Sequence, residues 1–150
     1  MSTIEASVLS ILAFEVRQHS FAVDASLVLE TKTYASYTRL PGSGGSLIGL
    51  ANYRNTVLPL INPRSVLLGE GSSDYKGETF IVLEVGDTRL GIGIDRLVGV
   101  FTPADPTRFA YPSNMQSKLL KETILLDSGA TVALLDTQAL LETITHDLNN

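Results

Sequence analysis

The segment closest to a catalytic motif is Asp127-Ser128-Gly129, which follows two leucines. In aspartic proteases an Asp-Ser/Thr-Gly loop brings one carboxylate against a second one, and the pair shares a proton. Here only 20 residues follow Ala130, too few for the rest of a retroviral-type protease, and the motif does not recur in the chain. Asp-Ser-Gly also suits a tight hairpin turn. We therefore interpret the segment as a turn and not as a catalytic loop.

Other residues that commonly do chemistry are few and scattered. The two histidines, His19 and His146, lie in a predicted turn and near the C-terminal end, and neither has carboxylates at metal-ligand spacing. No cysteine is present, which excludes disulfides, zinc–thiolate sites and thiol catalysis. The glycine-rich segment 42–46 lacks the Gly-Lys-Ser/Thr of a phosphate-binding loop, and Leu47 stands where a dinucleotide-binding motif needs glycine. The sequence thus predicts no catalytic residues, no metal and no cofactor.

Arg54 is the residue whose position favours binding to another molecule. It lies between two apolar, strand-like runs, 47–51 and 57–61, in a polar cluster that also contains Asn52 and Asn55. This cluster has the residue types of a turn between two strands. An arginine there either pairs with a carboxylate of its own chain or presents its guanidinium to a partner. The two roles are compatible, because an interface arginine is often held by an intramolecular carboxylate.

The carboxylates that could pair with Arg54 are Glu30, Asp95 and Glu84. Asp95 ends an apolar strand, where a carboxylate usually accepts hydrogen bonds from backbone N–H groups or pairs with an arginine. We therefore predict a structural role for Asp95. The choice among the three partners of Arg54 stays open at the level of sequence.

Most of the chain has the residue pattern of short β-strands. Leu12, Phe14 and Val16 alternate with more polar residues, and 80–85 is an almost continuously apolar run. Two helices are predicted. The first is short and begins at Pro63, and the second follows Thr137, with leucine or isoleucine every four residues. The loop 69–77 divides the chain into two strand-rich halves, a pattern typical of small barrels or sandwiches.

The composition is that of one globular domain without a basic or membrane-spanning segment. The 150 residues are 44% hydrophobic and carry a net charge of −5 with no basic block, which disfavours nucleic-acid binding. The apolar runs fall well short of the roughly 20 residues that a membrane helix needs. Residues 1–6 include a glutamate and no basic residue, so no secretory signal is predicted. We expect a cytoplasmic protein with no direct membrane insertion.

A series of short segments follows a definite order and spacing along the chain: the strand pair 12–24, the valine-rich strand 28–31, Leu40-Pro41, the hairpin 49–62, Gly-Ile-Gly-Ile-Asp at 91–95, the strand 97–100, the hairpin 124–135 and the leucine-rich 140–144. In this order and spacing the segments resemble the CheW-like domain, the coupling module of bacterial chemosensory arrays. The resemblance covers roughly residues 8–144. Each segment alone is weak evidence for this family, whereas the combination of all of them is specific for it.

The resemblance implies a mainly β protein. Its fold would comprise two small five-stranded β-barrels with pseudo-symmetry, a few short helices and a C-terminal helix. Residues 1–150 would form a single domain with halves divided near 69–77, and each half would make its own barrel.

The resemblance also implies a non-catalytic adaptor that couples chemoreceptors to a CheA-type histidine kinase. Its partners would be that kinase and the cytoplasmic tip of a methyl-accepting chemoreceptor, in arrays at the inner membrane. The expected partner-binding residues are Arg54, Glu30, Gly49, Asn52, Asn55 and Val98. The chain departs from the family pattern at Asn55, where glycine is usual, at Asn62, where aspartate is common, and at Pro63, where leucine is common. A flagellar, a type IV pilus and another non-flagellar pathway all stay open.

Two other classes of protein are alternatives. A small-ligand-binding or enzymatic β-barrel would use the groove between the barrels, and it would need convergent titratable groups that the sequence does not offer. An oligonucleotide-binding barrel would need basic residues interleaved with aromatic ones, and the tyrosines and phenylalanines here are not surrounded by lysine or arginine.

Overall fold

The computed structural model describes residues 9–40, 45–70, 75–104, 107–110 and 119–148, and strands predominate among them. The strands are β1 (Ile11–Val16), β2 (His19–Asp24), β3 (Val28–Thr33), β4 (Thr38–Arg39), β5 (Leu47–Tyr53), β6 (Thr56–Ile61), β7 (Thr79–Val85), β8 (Thr88–Gly93), β9 (Arg96–Phe101), β10 (Thr107–Ala110), β11 (Leu120–Leu125) and β12 (Thr131–Leu135). The helices are α1 (Pro63–Leu68) and α2 (Thr137–Leu148), and a single 3₁₀ turn covers Ala25–Leu27. The mainly β fold with a C-terminal helix is confirmed.

The strands form two sheets with the same pattern of pairing. The first sheet has the order β10-β11-β12-β2-β1-β9, and the second has the order β3-β7-β8-β6-β5-β4. Each sheet joins two antiparallel groups through one parallel contact, β12 with β2 in the first and β8 with β6 in the second. The other pairings between described strands are antiparallel. This repetition is the internal pseudo-symmetry that the sequence resemblance implied.

Two details of the predicted architecture are corrected. Each sheet has six strands among the described residues, one more than the five that the resemblance implied, and the edge strand β4 of the second sheet is only two residues long. The two halves on either side of 69–77 do not form separate units. β1 and β2 pair with strands from the end of the chain, and β7 and β8 pair with strands from its first half. Sheet membership follows these long-range pairings and not chain order.

A shared hydrophobic core lies between the two sheets. Phe14 of the first sheet and Ile81 and Ile92 of the second belong to one cluster of fully buried side chains, and Leu140 and Ile144 of α2 extend it. These two helix residues are four apart, as the predicted helix face requires. The second sheet also surrounds a smaller core of its own, with members Ile48, Tyr53, Leu58, Leu60, Tyr75, Phe80 and Val82.

Local capping explains where α1 begins and ends. The Asn62 side chain accepts hydrogen bonds from the N–H groups of Arg64 and Ser65, at 3.0 and 3.3 Å, and Pro63 occupies the first helical position. Gly69 ends the helix in a left-handed conformation with φ of 68°. The departures from the family pattern at Asn62 and Pro63 are thus a capping side chain and a compatible first helical residue.

The Asp127-Ser128-Gly129 segment is the predicted turn. It connects β11 to β12, with Leu126 N–H donating to the carbonyl of Ala130 at 2.8 Å and Gly129 N–H donating to that of Leu126 at 2.9 Å. Asp127 is exposed.

Among the described residues, no helix has the length and apolar character needed to cross a membrane.

Candidate functional site

The turn between β5 and β6 places Arg54 at the tip of a hairpin. Tyr53 pairs with Thr56, which leaves Arg54 and Asn55 as the two turn residues, with φ of 52° and 66°. Positive φ at both positions is the geometry of the preferred two-residue hairpin turn. Asparagine tolerates this conformation, whereas for arginine it costs about 1–2 kcal/mol. The strain at Arg54 indicates that its side chain, and not its backbone preference, accounts for an arginine here.

The turn is held by its own side chains. The Asn52 side-chain oxygen accepts a hydrogen bond from the Asn55 N–H at 3.3 Å, and the Thr56 hydroxyl donates to the Tyr53 carbonyl at 2.7 Å. Asn52 and Asn55 are both exposed. The two asparagines therefore stabilise the turn from its surface and flank Arg54.

Glu30 of β3 is the carboxylate that pairs with Arg54. The Arg54 Nη2 donates to Glu30 Oε2 at 3.2 Å, and the Tyr53 hydroxyl donates to the same oxygen at 2.6 Å. The Arg54 side chain remains 65% exposed, while Tyr53 is 1% exposed. The guanidinium carbon also lies 5.1 Å from the centroid of the Tyr53 ring. An accessible cation is thus held by a neighbouring carboxylate and a buried ring.

Curvature of the second sheet brings these residues together. In the sheet order β3 is an edge strand and β5 lies four positions away, yet Glu30 of β3 reaches the end of β5. The Tyr34 hydroxyl, just after β3, donates to the carbonyl of Asn52 at 2.9 Å. The sheet therefore curls around its small core until its two sides touch through side chains.

Hydrogen bonding favours the ordinary charge states of Glu30 and Tyr53. The hydrogen bond from Tyr53 is the main cause that lowers the pKa of Glu30 below its usual value. Burial is the next largest effect and opposes it, and the charges of Lys32 and Arg54 lower the pKa further. The same hydrogen bond, followed by burial, raises the pKa of Tyr53. At neutral pH Glu30 is therefore a carboxylate, and Tyr53 is a neutral hydrogen-bond donor.

Two contributors to this site were missed by sequence reasoning. Tyr53 directly precedes Arg54, and this adjacency was the one signal in the sequence that could have indicated its part in the site. Arg89 of β8 has its guanidinium carbon 5.6 Å from the Tyr53 ring centroid, and its Nε donates to Glu84 at 3.3 Å. No local pattern indicates Arg89, because β8 comes near this ring only through the pairing of both β8 and β5 with β6.

The remaining predicted partner-binding residues lie apart from Arg54. Gly49 is buried, and a Cβ at this position would overlap the carbonyl oxygen of Thr38, so glycine is needed for β4 to lie against β5. Val98 lies on β9, at the edge of the other sheet. The structure therefore brings Glu30, Asn52, Arg54 and Asn55 together, and we call these four residues the arginine-turn surface.

β9 carries a second exposed surface. Leu97, Val98 and Val100 are exposed hydrophobic residues, and we call them the β9 patch. The pairing with β1 shifts between Ala13 and Phe14, so that Val98 is the extra residue of a bulge. A bulge on an edge strand discourages the addition of another strand. The β9 patch thus offers apolar side chains more readily than backbone hydrogen bonds.

Asp95 lies between the two sheets and joins them. Its Oδ2 accepts the N–H of Arg17 at 2.6 Å, and its Oδ1 accepts a longer hydrogen bond of 3.4 Å from Arg64. Its own N–H donates to the carbonyl of Glu15 at 2.9 Å. These are the contacts expected of a structural carboxylate at the crossover from β8 to β9.

A cleft lies between the first sheet and the end of α1. It encloses about 780 Å³. Its charged walls are Arg17 and Glu70, which pair with each other through two hydrogen bonds of 3.0 Å. Within the described ranges, no three His, Asp or Glu side chains converge as a metal ion would require. His19, on the rim of this cleft, and His146 are both exposed.

The architecture defines a class of β protein with two pseudo-symmetric sheets around a shared core, an exposed hairpin on one sheet and an exposed apolar edge strand on the other. The pattern described as the CheW-like domain matches residues 10–145. The chain therefore belongs to the CheW-like domain family, as the sequence resemblance indicated.

Known proteins show the same similarity. The chain is 26% identical over 139 residues to a chemotaxis protein CheW of Thermotoga maritima, covering 90% of this chain and 89% of that protein. It is 23% identical over 133 residues to a probable chemotaxis protein CheW of Rhizobium etli, covering 87% and 85%. The fold matches the crystal structure of the scaffolding protein TtCheW from Thermoanaerobacter tengcongensis with a TM-score of 0.74 and 17% identity, over 86% of this chain and 89% of that one.

Proposed function

We propose that this protein is a non-catalytic adaptor that couples chemoreceptors to a CheA-type histidine kinase in bacterial chemosensory signalling. Membership of the CheW-like domain family supports this role over that of a ligand-binding or enzymatic β-barrel. The adaptor acts by presenting two surfaces on a rigid scaffold. It works in the cytoplasm, at receptor arrays on the inner membrane, where repeated weak contacts gain strength through multivalency.

The observation that carries the proposal is the arginine-turn surface. An arginine side chain that is 65% exposed, and whose guanidinium is nevertheless held by Glu30 and the Tyr53 ring, is oriented before a partner arrives. Such preorganisation lowers the entropic cost of binding, and arginine is enriched among interface hot spots. We assign the kinase contact to this surface.

An apolar groove lies beside the arginine turn and extends this surface. It encloses about 470 Å³ and is lined by residues that include Tyr34, Tyr37, Leu50 and Val57. Val57 on its rim is 66% exposed. An exposed cation next to an apolar groove is the combination of polar rim and hydrophobic anchor that protein interfaces use.

The β9 patch is the proposed contact for the chemoreceptor tip. The tip that the family binds is a coiled coil, whose helices bind through side chains and not through strand pairing. The bulge at Val98 and the three aliphatic side chains suit such packing. The two surfaces lie on different sheets, so one copy of the protein can hold both partners.

A pull-down from native cytoplasm tests the proposal, with the wild-type protein, Arg54→Ala and Arg17→Ala as baits. Arg17 is the matched control, because it occupies the same kind of position in the other sheet. It is the first residue of a two-residue hairpin turn, it has a positive φ, and it pairs with a carboxylate. We expect the wild type and Arg17→Ala to recover a histidine kinase and a chemoreceptor, and Arg54→Ala to lose the kinase. Recovery of neither partner by the wild type would contradict the adaptor role.

A further inference from the structure

Tyr53 combines burial with a hydrogen bond to the surface. Its ring lies in the small core of the second sheet, at 1% exposure, beside residues such as Tyr75 and Phe80. Its hydroxyl nevertheless reaches Glu30 Oε2, the oxygen that also accepts the hydrogen bond from Arg54. The distance of 2.6 Å to Tyr53 is shorter than the 3.2 Å to Arg54. The buried hydroxyl is thus the tighter of the two partners of this oxygen.

We propose that Tyr53 is a positioning residue for the arginine-turn surface: its hydroxyl holds Glu30 in place, and Glu30 in turn orients the Arg54 guanidinium toward a partner. The proposal rests on the function proposed for Arg54. Tyr53 is buried and would not contact the partner itself, whereas Arg54, which it positions, would.

The physical reason lies in side-chain entropy. Glutamate and arginine are long, flexible side chains, and an exposed pair of them gains little because both must be ordered. Tyr53 changes this balance, since its ring is already immobilised by the core. A hydrogen bond from an immobile donor restricts Glu30 without a further loss of conformational entropy by the tyrosine. Glu30 then offers Arg54 a fixed acceptor.

The ring of Tyr53 contributes a second contact. The guanidinium carbons of Arg54 and Arg89 lie 5.1 and 5.6 Å from its centroid, within the range of cation–π attraction. Arg89 is held in turn by Glu84, at 3.3 Å. Tyr53→Phe keeps the ring contacts and removes only the hydrogen bond to Glu30, so this variant isolates the role of the hydroxyl.

The hydroxyl also has a measurable electrostatic signature. The hydrogen bond from Tyr53 is the largest of the causes that lower the pKa of Glu30. Removing it must raise that pKa toward the usual value. As the pH falls, Glu30 in Tyr53→Phe then becomes protonated at a higher pH than in the wild type, and its hold on Arg54 is lost earlier.

The experiment compares Tyr53→Phe with Tyr75→Phe. Tyr75 is the matched control, because it is equally buried in the same core and its hydroxyl donates to a backbone carbonyl, that of Ile94, at 3.1 Å. The partner-free proteins are titrated by NMR, following the Glu30 carboxyl carbon and the relaxation of the Arg54 guanidinium. The affinity of each variant for the kinase purified from the wild-type pull-down is then measured from about pH 4 to about pH 8. This range extends from the usual pKa of a carboxyl group to neutral pH.

In Tyr53→Phe we expect a higher Glu30 midpoint, a more mobile Arg54 guanidinium, and kinase affinity reduced about tenfold, since a hydrogen bond to a charged group is lost. The loss of affinity on acidification should also begin at a higher pH. Tyr75→Phe should leave all four quantities unchanged.

If Arg54→Ala weakens kinase binding and Tyr53→Phe behaves like Tyr75→Phe, the positioning role is refuted while the proposed function stands. If Arg54→Ala leaves kinase binding unchanged, the proposed function of the surface fails, and an unchanged Glu30 midpoint would refute the positioning role independently.

Discussion

Arg17 and Arg54 occupy equivalent places in the two sheets. Each is the first residue of a two-residue hairpin turn, between β1 and β2 or between β5 and β6, and their φ angles are 63° and 52°. Each is paired with a carboxylate, Glu70 at 3.0 Å and Glu30 at 3.2 Å. Their settings differ, because Arg17 forms two hydrogen bonds to Glu70 while Arg54 forms one to Glu30 and lies over a tyrosine ring. The pseudo-symmetry thus places one arginine as a clamp on the segment after α1 and leaves the other more exposed.

Arg54→Ala should weaken kinase binding by roughly 1–3 kcal/mol, as the loss of an interface hot spot does. The melting temperature should change little, because an exposed ion pair adds little to stability and alanine retains the turn's strain without adding to it. Binding titrations and thermal melts on the same preparation provide the two numbers. Unchanged affinity together with a large loss of stability would mean that Arg54 is a structural clamp.

Gly49→Ala should destabilise the fold by about 1–3 kcal/mol, because the added Cβ overlaps the Thr38 carbonyl and forces β4 away from β5. Urea denaturation measures the effect. Gly129→Ala is the comparison, since no atom lies within 4 Å of its Cβ position and its cost comes from the positive φ of 93°. If Gly49→Ala were as stable as the wild type, the close approach of β4 would not depend on glycine.

Val98→Asp should abolish or strongly reduce binding of the receptor tip, because a charge in the middle of the β9 patch would have to be desolvated on binding. Folding should tolerate the change, since Val98 is exposed and lies at a bulge. Thr107→Asp, an exposed position on β10 at the other edge of the same sheet, is the control. Equal receptor binding by both variants would place the receptor contact elsewhere.

Asp127→Asn should leave partner binding intact and change the free energy of unfolding by about 1 kcal/mol at most, because both residues suit the turn. The geometry of the β11–β12 turn supports this expectation, with Asp127 exposed and the turn closed by backbone hydrogen bonds. A peptidase assay on wild type and variant completes the test. Activity present in the wild type and absent from Asp127→Asn would contradict a non-catalytic adaptor.

The sequence by itself determined the class of the protein. Alternating apolar residues specify strands, Pro63 specifies the start of α1, and Asp-Ser-Gly specifies a turn, because each of these signals acts over a few neighbouring residues. The order of such segments was enough to indicate the CheW-like domain. The sequence also singled out Arg54, by its position between two apolar strand-like runs, and named Glu30 among its three candidate partners.

Only the tertiary structure decided how these elements combine. The exchange of strands between the halves depends on pairings such as β1 with β9, more than 80 residues apart in sequence, for which no local pattern exists. The choice of Glu30 over Asp95 and Glu84 depends on the curl of the second sheet, which brings β3 to the end of β5. The part played by Tyr53 depends on the same curl, since a buried ring can reach a surface carboxylate only where the sheet folds back on itself. Long-range packing sets these relationships, and packing is a property of the whole chain.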